Sequence, residues 1–343
     1  MTKIIVQNLI NEKISWQKEL ARGFNDPRKL LEYLAIAPDK FSASFAARKL
    51  FPLRVPLPFV QRMKRGNPRD PLLLQVMTDQ QEFDQPDGYI GDPLAEQSSV
   101  LPGLLHKYQN RVLLMVRTGC AINCRYCFRR HFPYQDNSPN QAGFKDVANY
   151  IAQRPQINEI ILSGGDPLMA NDQQLATLFE LLAPIKHLTR IRIHTRLPVV
   201  IPARITEQFV KLCADSRFNL VMVLHINHAN EIDQEVIEAV AKLKQAGMTL
   251  LNQAVLLKDV NDNAECQIAL SEALFNAGIL PYYLHLLDKV EGASHFDSPE
   301  DQAIAMMREL HQQLPGFLVP KLVREIGGQA HKTPIDLGLQ PKV

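Results

Sequence analysis

The sequence lacks several features that would each indicate a different class of protein. Its apolar runs fall short of the roughly 18 residues that a membrane-spanning helix needs. Residues 1–16 alternate apolar and polar side chains and lack the continuous apolar core of a signal peptide. The net charge is only +2, from 38 basic and 36 acidic residues, so the chain as a whole has no field that attracts nucleic acid or an acidic membrane. We therefore expect a cytoplasmic protein without a nucleic-acid or membrane partner.

Cysteine is scarce as well, with five residues in the chain. Cys213 and Cys266 stand alone among apolar residues of predicted helices, where cysteine is typical of packing. Cys120, Cys124 and Cys127 crowd together instead. A disulfide framework would spread an even number of cysteines along the chain. Crowded thiols in a reducing compartment indicate a metal site.

From residue 111 onward, strand-like and helix-like runs alternate. The predicted strands are Val112–Val116, Glu159–Leu162, Ile191–His194, Leu220–Ile226, Thr249–Leu256 and Leu280–Leu286. The predicted helices are Gln173–Leu182, Ile205–Cys213, Ile232–Gln245 and Ala264–Ala277. This alternation predicts βα units around a parallel sheet, with reactive groups at the carboxyl ends of the strands. Six units, with a further candidate strand at Phe317–Val323, favour an α/β fold containing an incomplete (β/α)6 barrel.

The residues before this alternation have a different character. Asp26 and Pro27 suit the N-cap and first position of a helix that includes Lys29–Ile36. A proline-rich connection and a turn-rich stretch over 66–102 follow, and we expect them to wrap over another surface. The predicted organisation is an N-terminal helical extension over 1–105, a barrel core over 106–316 and a C-terminal segment over 317–343.

The strongest motif is Cys120-Ala-Ile-Asn-Cys124-Arg-Tyr-Cys127, directly after the first predicted strand. A four-iron cluster normally takes four thiolates, so three would leave one iron without a protein ligand. An open coordination position is where a metal centre activates a substrate. The alternative is a structural zinc site completed by His131. Such sites usually pair CxxC with a second, distant pair of ligands, which the sequence does not offer.

Two further segments carry candidate site residues. Ser163-Gly164-Gly165-Asp166 follows the second strand, where glycines can expose backbone amides and allow a polar ligand to approach, although a Gly-Gly pair is often only a turn. A glycine-rich turn precedes Lys332, an amine able to form a Schiff base with pyridoxal phosphate, although a lysine this close to a C-terminus is often a solvated surface residue.

Together these motifs resemble the radical S-adenosylmethionine (SAM) superfamily and, within it, the lysine 2,3-aminomutase family. The likeness runs through nearly the whole chain and includes His194-Thr195-Arg196 and Asn252-Gln253. The run from Arg125 to Tyr134 resembles the bacterial branch that supplies β-lysine for modification of elongation factor P. The resemblance implies a [4Fe–4S] cluster whose open iron binds SAM and cleaves it to a 5′-deoxyadenosyl radical. It also implies an external reductant such as flavodoxin or ferredoxin.

The resemblance assigns roles to individual residues. The cluster ligands would be Cys120, Cys124 and Cys127. The SAM contacts would be Ser163, Gly164, Gly165, Asp166, His225 and Gln253. Pyridoxal phosphate would be carried by Lys332 as an aldimine, with Tyr108 at its ring, Arg111 at its phosphate and Lys107 as a further phosphate candidate. The L-lysine substrate would meet Arg129 at its carboxylate and the acidic pair Asp288 and Glu325 at its ε-ammonium.

The implied reaction is the conversion of L-α-lysine to β-lysine. The deoxyadenosyl radical would take hydrogen from C3 of the lysine aldimine, nitrogen would shift through a three-membered intermediate, and deoxyadenosine would return the hydrogen. The product would serve the ligase that transfers it to elongation factor P. Two other readings are a free-standing lysine 2,3-aminomutase of lysine catabolism or osmolyte synthesis, and a non-catalytic zinc or RNA-binding module.

The sequence departs from the family pattern in three places. Glu325 replaces an aspartate, and Gln329, Ala330 and His331 interrupt the run of glycines before Lys332. Only 11 residues follow Lys332, so the C-terminal zinc-binding and oligomerisation extension of larger relatives is not expected. A homo-oligomer of another kind remains open.

Overall fold

The computed structural model describes residues 15–96, 99–132 and 141–339. The expectations for residues 1–14, and for Pro133 and Tyr134 of the family-like run, lie outside the described residues. In the described part, no helix combines the length and the apolar character needed to cross a bilayer.

The described chain forms one nine-stranded sheet in which every strand pairs with its neighbour in sequence. Strands β2 to β8 run parallel, while β1 and β9 pair antiparallel at the two edges. The strands are β1 (Leu104–Tyr108), β2 (Arg111–Arg117), β3 (Glu159–Gly164), β4 (Arg190–Thr195), β5 (Asn219–His225), β6 (Thr249–Val255), β7 (Leu280–His285), β8 (Lys321–Arg324) and β9 (Thr333–Pro334).

Helices connect the parallel strands, and further short helices form the N-terminal segment before β1. Short 3-10 turns lie between several of them. The helices are α1 (Trp16–Ala21), α2 (Pro27–Tyr33), α3 (Leu57–Val60), α4 (Pro71–Leu74), α5 (Gln141–Ala152), α6 (Asp172–Leu182), α7 (Leu197–Val200), α8 (Glu207–Ala214), α9 (Gln234–Gln245), α10 (Ala264–Asn276) and α11 (Glu300–Gln313).

The two faces of the sheet have different environments because side chains alternate along each strand. On β3, Ile160 and Leu162 point outward into the hydrophobic core beneath the helices, whereas Ile161 and Ser163 line an interior cavity. The same core takes in Trp16 from α1, so the N-terminal segment packs on the barrel. No hydrogen-bonded pairing among the described strands joins β9 back to β1, which confirms the predicted incomplete barrel.

The predicted elements match the structure in outline, but several elements were not predicted. These are the edge strands β1 and β9, the longer helices α5 and α11, and the short helices α1, α3, α4 and α7. Asp26 caps α2 through a 2.8 Å hydrogen bond from the Arg28 amide, as expected. The helix ends at Tyr33 rather than Ile36, because Ala35 adopts a positive φ of 57° that a right-handed helix does not allow.

Candidate active site

One cavity of about 620 Å³ inside the sheet contains every site residue expected from the sequence. It extends from the cysteine loop at the carboxyl ends of the strands to charged residues at their amino ends. The expected residues that line it are Lys107, Tyr108, Arg111, Cys120, Cys124, Cys127, Arg129, Ser163, Gly164, Gly165, Asp166, His225, Gln253, Asp288, Glu325 and Lys332. The structure therefore places these residues in one cavity. The ligand that each of them binds is still a prediction.

The loop after β2 holds its cysteines through contacts from distant parts of the chain. The carbonyl of Cys120 accepts a hydrogen bond from Arg54 Nη1 at 3.0 Å. The amide of Asn123 donates to the Arg54 carbonyl, also at 3.0 Å. Cys124 Sγ accepts from Arg196 Nη1 at 2.7 Å. The protein therefore fixes the loop on both its outer and its inner side.

The chemistry of the three thiols fits a cluster of several metal ions. Burial raises the pKa of the Cys127 thiol to about 11 and that of Cys120 well above its ordinary value, so both need nearby cations to ionise. Within the described residues, no three histidine, cysteine, aspartate or glutamate side chains are close enough to bind one metal ion. An iron–sulfur cluster suits this spacing because each thiolate binds a different iron.

A buried polar network behind Cys124 was missed in the sequence. Arg196 Nη2 donates to Gln75 Oε1 at 2.6 Å and to Glu231 Oε2 at 2.9 Å. Its Nη1 also donates to the hydroxyl of Tyr126 at 2.7 Å. Arg196 comes directly after β4, and the rule that functional groups follow the strands could have identified it. It gives the thiolate a fixed positive neighbour.

The two glycines after β3 are required for close packing. Gly164 has a φ of 119°, and a Cβ there would lie 2.4 Å from the Arg117 carbonyl oxygen. A Cβ on Gly165 would lie 2.6 Å from the Gly119 carbonyl oxygen. The Gly165 amide and the Asp166 amide that follows it are both hydrogen-bonded to the preceding loop in this structure. The Gly165 amide donates to the Arg117 carbonyl at 2.8 Å and the Asp166 amide to the Gly119 carbonyl at 3.0 Å.

The Asp166 carboxylate joins the ends of β3 and β4. It accepts hydrogen bonds from the Leu168 amide at 2.9 Å and the Thr195 hydroxyl at 2.7 Å. It also accepts from the amides of Arg196 at 2.9 Å and Leu197 at 3.1 Å. Burial nevertheless raises its pKa. These contacts give Asp166 a structural role beside the SAM contact that the resemblance implies.

Neutral polar side chains line the middle of the cavity. Burial, followed by the charges of Arg196 and Arg129, lowers the pKa of His225 to about 3. Burial also holds the pKa values of His194 and His285 well below the ordinary histidine value. Among the described residues, His194 Nε2, His285 Nε2 and Gln253 Oε1 are buried without a hydrogen-bond partner.

Unpartnered buried polar atoms are uncommon in proteins, so their grouping here fits a polar ligand in the cavity. His194 and His285 were not assigned from the sequence, although the period-two alternation of β4 and β7 places them on the same interior face as His225.

Arg129 is fixed by a carboxylate that the sequence did not reveal. Its Nε donates to Glu96 Oε2 at 2.7 Å, and its Nη1 lies 3.2 Å from both Ser163 Oγ and the Gly164 carbonyl oxygen. Glu96 Oε1 accepts from Lys107 Nζ at 2.8 Å. Burial acts to raise the pKa of Glu96, but the charges of Arg129 and Lys107 outweigh it and lower the pKa to about 2. Glu96 is therefore ionised at any physiological pH.

Arginines gather at the amino ends of β2 and β4. The Arg111 guanidinium lies 3.8 Å from the centre of the Tyr108 ring. Arg190 Nε donates to Glu159 Oε2 at 2.6 Å, and Arg192 pairs with the same carboxylate. The Nε atoms of Arg111 and Arg192 are buried and have no hydrogen-bond partner in the described chain. Two unused guanidinium donors suit an anionic group such as a phosphate.

Lys332 lies at the mouth of the hairpin between β8 and β9. Because Arg324 pairs with Thr333 across the two strands, Glu325 and Lys332 face each other, and their side chains form an ion pair. Burial and the neighbouring Glu325 raise the pKa of Asp288 to about 7, although the charge of Lys332 opposes them. The late lysine thus shares its cavity with the three thiols.

Comparisons with known proteins agree with this geometry. Residues 115–266 match the model of the radical SAM superfamily. The L-lysine 2,3-aminomutase of Escherichia coli K12 is 54% identical, covering 99% of this chain and 99% of that protein. The L-lysine 2,3-aminomutase of Haemophilus influenzae is 53% identical, covering 95% of this chain and 96% of that protein.

A solved structure of a radical SAM methyltransferase from Sphaerobacter thermophilus is 16% identical and covers 64% of this chain and 68% of that chain, with a TM-score of 0.46. Membership of the superfamily implies a [4Fe–4S] cluster and SAM. The identity and the coverage of the first two relatives establish the family. The chain belongs to the L-lysine 2,3-aminomutase family of the radical SAM superfamily and is an isomerase.

Proposed function

We propose that this chain converts L-α-lysine into β-lysine by moving the amino group from C2 to C3, with a [4Fe–4S] cluster, SAM and pyridoxal phosphate as cofactors. The observation that carries the proposal is the shared cavity. Cys120, Cys124, Cys127 and Lys332 all line it, although more than 200 residues separate the cysteines from the lysine in sequence. Two reactive centres that open into one cavity can act on the same substrate.

The bound groups supply chemistry that amino-acid side chains lack: the cluster and SAM provide a hydrogen-abstracting radical, and pyridoxal phosphate provides a π system through which nitrogen moves. The protein fixes and shields these groups. Arg196 places a positive charge beside Cys124 Sγ. His194, His225 and Gln253 line the same cavity as the cysteines and Lys332, as neutral polar side chains.

The charges along the cavity match the two ends of lysine. Arg129 is held by Glu96 and faces the cavity close to the cysteine loop, where a guanidinium can bind the substrate carboxylate. Asp288 and Glu325 lie beside each other near Lys332, where carboxylates can bind the ε-ammonium. A substrate with a second carboxylate in place of that ammonium would meet repulsion there. This arrangement supports lysine over acidic amino acids.

The pyridoxal phosphate site that we propose differs in one residue from the set that the family resemblance implies. Arg111 and Arg192 each offer an unused buried Nε, whereas Lys107 is engaged by Glu96 and the Leu94 carbonyl. We therefore assign the phosphate to Arg111 and Arg192, with Tyr108 at the ring. Lys332 supplies the amine that attaches the cofactor.

We further propose that the β-lysine product serves the ligase that modifies elongation factor P. The resemblance of the run that begins at Arg125 supports this branch. Deletion of the gene should remove the β-lysyl group from elongation factor P, as read by mass spectrometry of the purified factor. Unchanged modification together with loss of free β-lysine would instead support the free-standing aminomutase.

The reaction is tested with anaerobically purified protein, L-lysine, SAM, pyridoxal phosphate and a chemical reductant. We expect β-lysine and 5′-deoxyadenosine, identified by mass spectrometry and amino-acid separation. Borohydride should trap the pyridoxyl group on a peptide that contains Lys332. Lys332→Ala should retain the cluster absorbance and lose this adduct, with His331→Ala as a control that keeps it. Turnover by Lys332→Ala would contradict the assignment.

A further inference from the structure

Basic residues are concentrated in one segment of a chain whose total charge is nearly balanced. Between Asp39 and Asp70 there are eight lysines and arginines and no aspartate or glutamate. The whole chain has 38 basic and 36 acidic residues, so this segment stands apart. The eight are Lys40, Arg48, Lys49, Arg54, Arg62, Lys64, Arg65 and Arg69.

The middle of this segment lies against the outer side of the cysteine loop. Arg54 Nη1 donates to the Cys120 carbonyl at 3.0 Å, and the Arg54 carbonyl accepts from the Asn123 amide at 3.0 Å. The Phe51 carbonyl accepts from Arg125 Nη1 at 2.7 Å. Residues 51–54 therefore cover the loop that carries the thiols. A molecule bound to Arg54 would therefore contact a residue that is hydrogen-bonded to the Cys120 carbonyl.

The outer surface of residues 48–54, which we call the basic face, is open to solvent and largely uncompensated. Arg48 has 53% of its side chain exposed, and its acidic neighbour Asp26 is 3.9 Å away. Lys49 and Arg54 are also exposed. Leu50 lies among them with 42% exposure. The positive charges of Arg48, Lys49 and Arg54 are the feature of this surface that an acidic partner would recognise.

We propose that the basic face is the docking site for an acidic one-electron-transfer protein that reduces the cluster. The inference rests on the proposed function, since cleavage of SAM needs one electron at the cluster. In the step, the donor loses one electron and the cluster gains one, and no atom is transferred. Complementary charge would steer the acidic donor to this surface and accelerate its encounter with the enzyme. The Arg54–Cys120 contact gives a short route from the docked protein to the cluster loop.

The position of the basic face favours an electron donor over a nucleic acid. Binding of a nucleic acid does not depend on the distance to the thiols, whereas electron transfer requires a short distance to the metal. The surface at residues 48–54 is close to the thiols because Phe51 and Arg54 form hydrogen bonds with the cysteine loop.

The test uses the cluster-loaded full chain and the double variant Arg48→Glu/Lys49→Glu. The matched control is Lys186→Glu/Lys321→Glu, which reverses two exposed lysines near the amino ends of β4 and β8 and makes the same charge change. The rate at which reduced flavodoxin bleaches the cluster absorbance is measured in a stopped-flow instrument. Photoreduced deazaflavin, a small neutral donor, reports whether the cluster itself is intact.

We expect the Arg48/Lys49 double variant to lower the second-order rate with flavodoxin by about tenfold or more at low salt, and to leave the deazaflavin rate unchanged. The control variant should behave like the wild type with both donors. Equal rates for the two double variants with flavodoxin would overturn the proposal, as would a wild-type rate that does not fall as salt is added.

Two further measurements separate the alternatives. If bulk tRNA binds the wild type more tightly than flavodoxin does, and the Arg48/Lys49 variant loses that binding, the basic face is a nucleic-acid site and the proposal fails. Turnover of lysine by the wild type with deazaflavin tests the proposed function separately. Flavodoxin could reduce the cluster through this face in a protein that does not convert lysine. That result would contradict the aminomutase assignment and still support the docking site.

Discussion

The cysteine loop and the lysine hairpin face the same cavity, but the protein holds them in different ways. Around the cysteine loop, Arg125 and Arg130 share the carboxylate of Glu82, and all three side chains are fully buried. Around the hairpin, residues 326–331 are exposed, and the side chain of Lys332 is held by the partly exposed Glu325. Segments with few buried contacts open at low free-energy cost. The comparison indicates a preformed cluster site opposite a hairpin that can open to admit pyridoxal phosphate and lysine.

The largest expected effect is on the preformed side. Cys124→Ala removes one of the three thiolates of the loop, so the cluster should be lost and deoxyadenosine formation should fall to background. Iron content and chromatography of the SAM products measure this. Cys266→Ser, which changes a partly exposed cysteine on α10, is the control and should keep both. Deoxyadenosine production by Cys124→Ala would show that the loop is not the cluster site.

Two ion pairs allow the comparison to be made in free energy of unfolding. Arg196 and Glu231 are 6% and 0% exposed, whereas Lys332 and Glu325 are 19% and 18% exposed. Arg196→Gln leaves the Glu231 carboxylate buried without its cation and should cost about 3–5 kcal/mol. Glu325→Gln should cost about 1 kcal/mol or less. Urea unfolding of the metal-free variants measures both, and equal losses would remove the distinction between the two regions.

The phosphate assignment gives the next effect in size. Arg192→Gln removes a charge-assisted donor and should weaken pyridoxal phosphate binding by about 10- to 100-fold. Arg190→Gln is the matched control, because Arg190 pairs with the same Glu159 but has 43% of its side chain exposed. Absorbance titration of the protein with pyridoxal phosphate gives both affinities. An equal loss in the two variants would indicate that the shared carboxylate, rather than Arg192 itself, is what matters.

The smallest effect is a pH dependence located at the hairpin. The pKa of Asp288 is about 7, so this carboxyl group is mostly protonated below that pH and ionised above it. Only the ionised form attracts the ε-ammonium, so lysine affinity should rise by about tenfold between pH 6 and pH 8. Asp288→Asn should bind lysine more weakly and lose this rise. Calorimetric titration with the pyridoxal phosphate-loaded enzyme measures it, and a variant that keeps the wild-type slope would exclude Asp288 as its source.

Sequence patterns predicted most of the barrel because its strands are long and apolar. They failed at the edges, where β9 is only Thr333–Pro334 and exists through its pairing with β8. The helix α11 could have been found, since Pro299 is followed by Glu300 and Asp301, a usual helix start. The edge strand β1 includes His106 and Lys107 and has no clear period-two pattern.

The candidate site shows the same division. The cysteine triplet and Lys332 were identifiable because their spacing or their resemblance to a family motif is local in sequence. Glu96 was not, because it sits in a turn-rich stretch and gains its meaning only from Arg129, 33 residues later. The glycines after β3 were found, but their close packing was not foreseen, since the carbonyl groups that they pack against come from another part of the chain.

By itself the sequence determined the alternation of strands and helices, the three thiols and the amine, because periodicity and residue chemistry are local properties. The tertiary structure decided which charges are buried beside one another. It turned Glu96 into a permanent anion, Asp288 into a group that titrates near neutrality, and Arg196 into a partner of a cluster thiol. Desolvation and the distances between charges set these properties, and both exist only once the chain has folded.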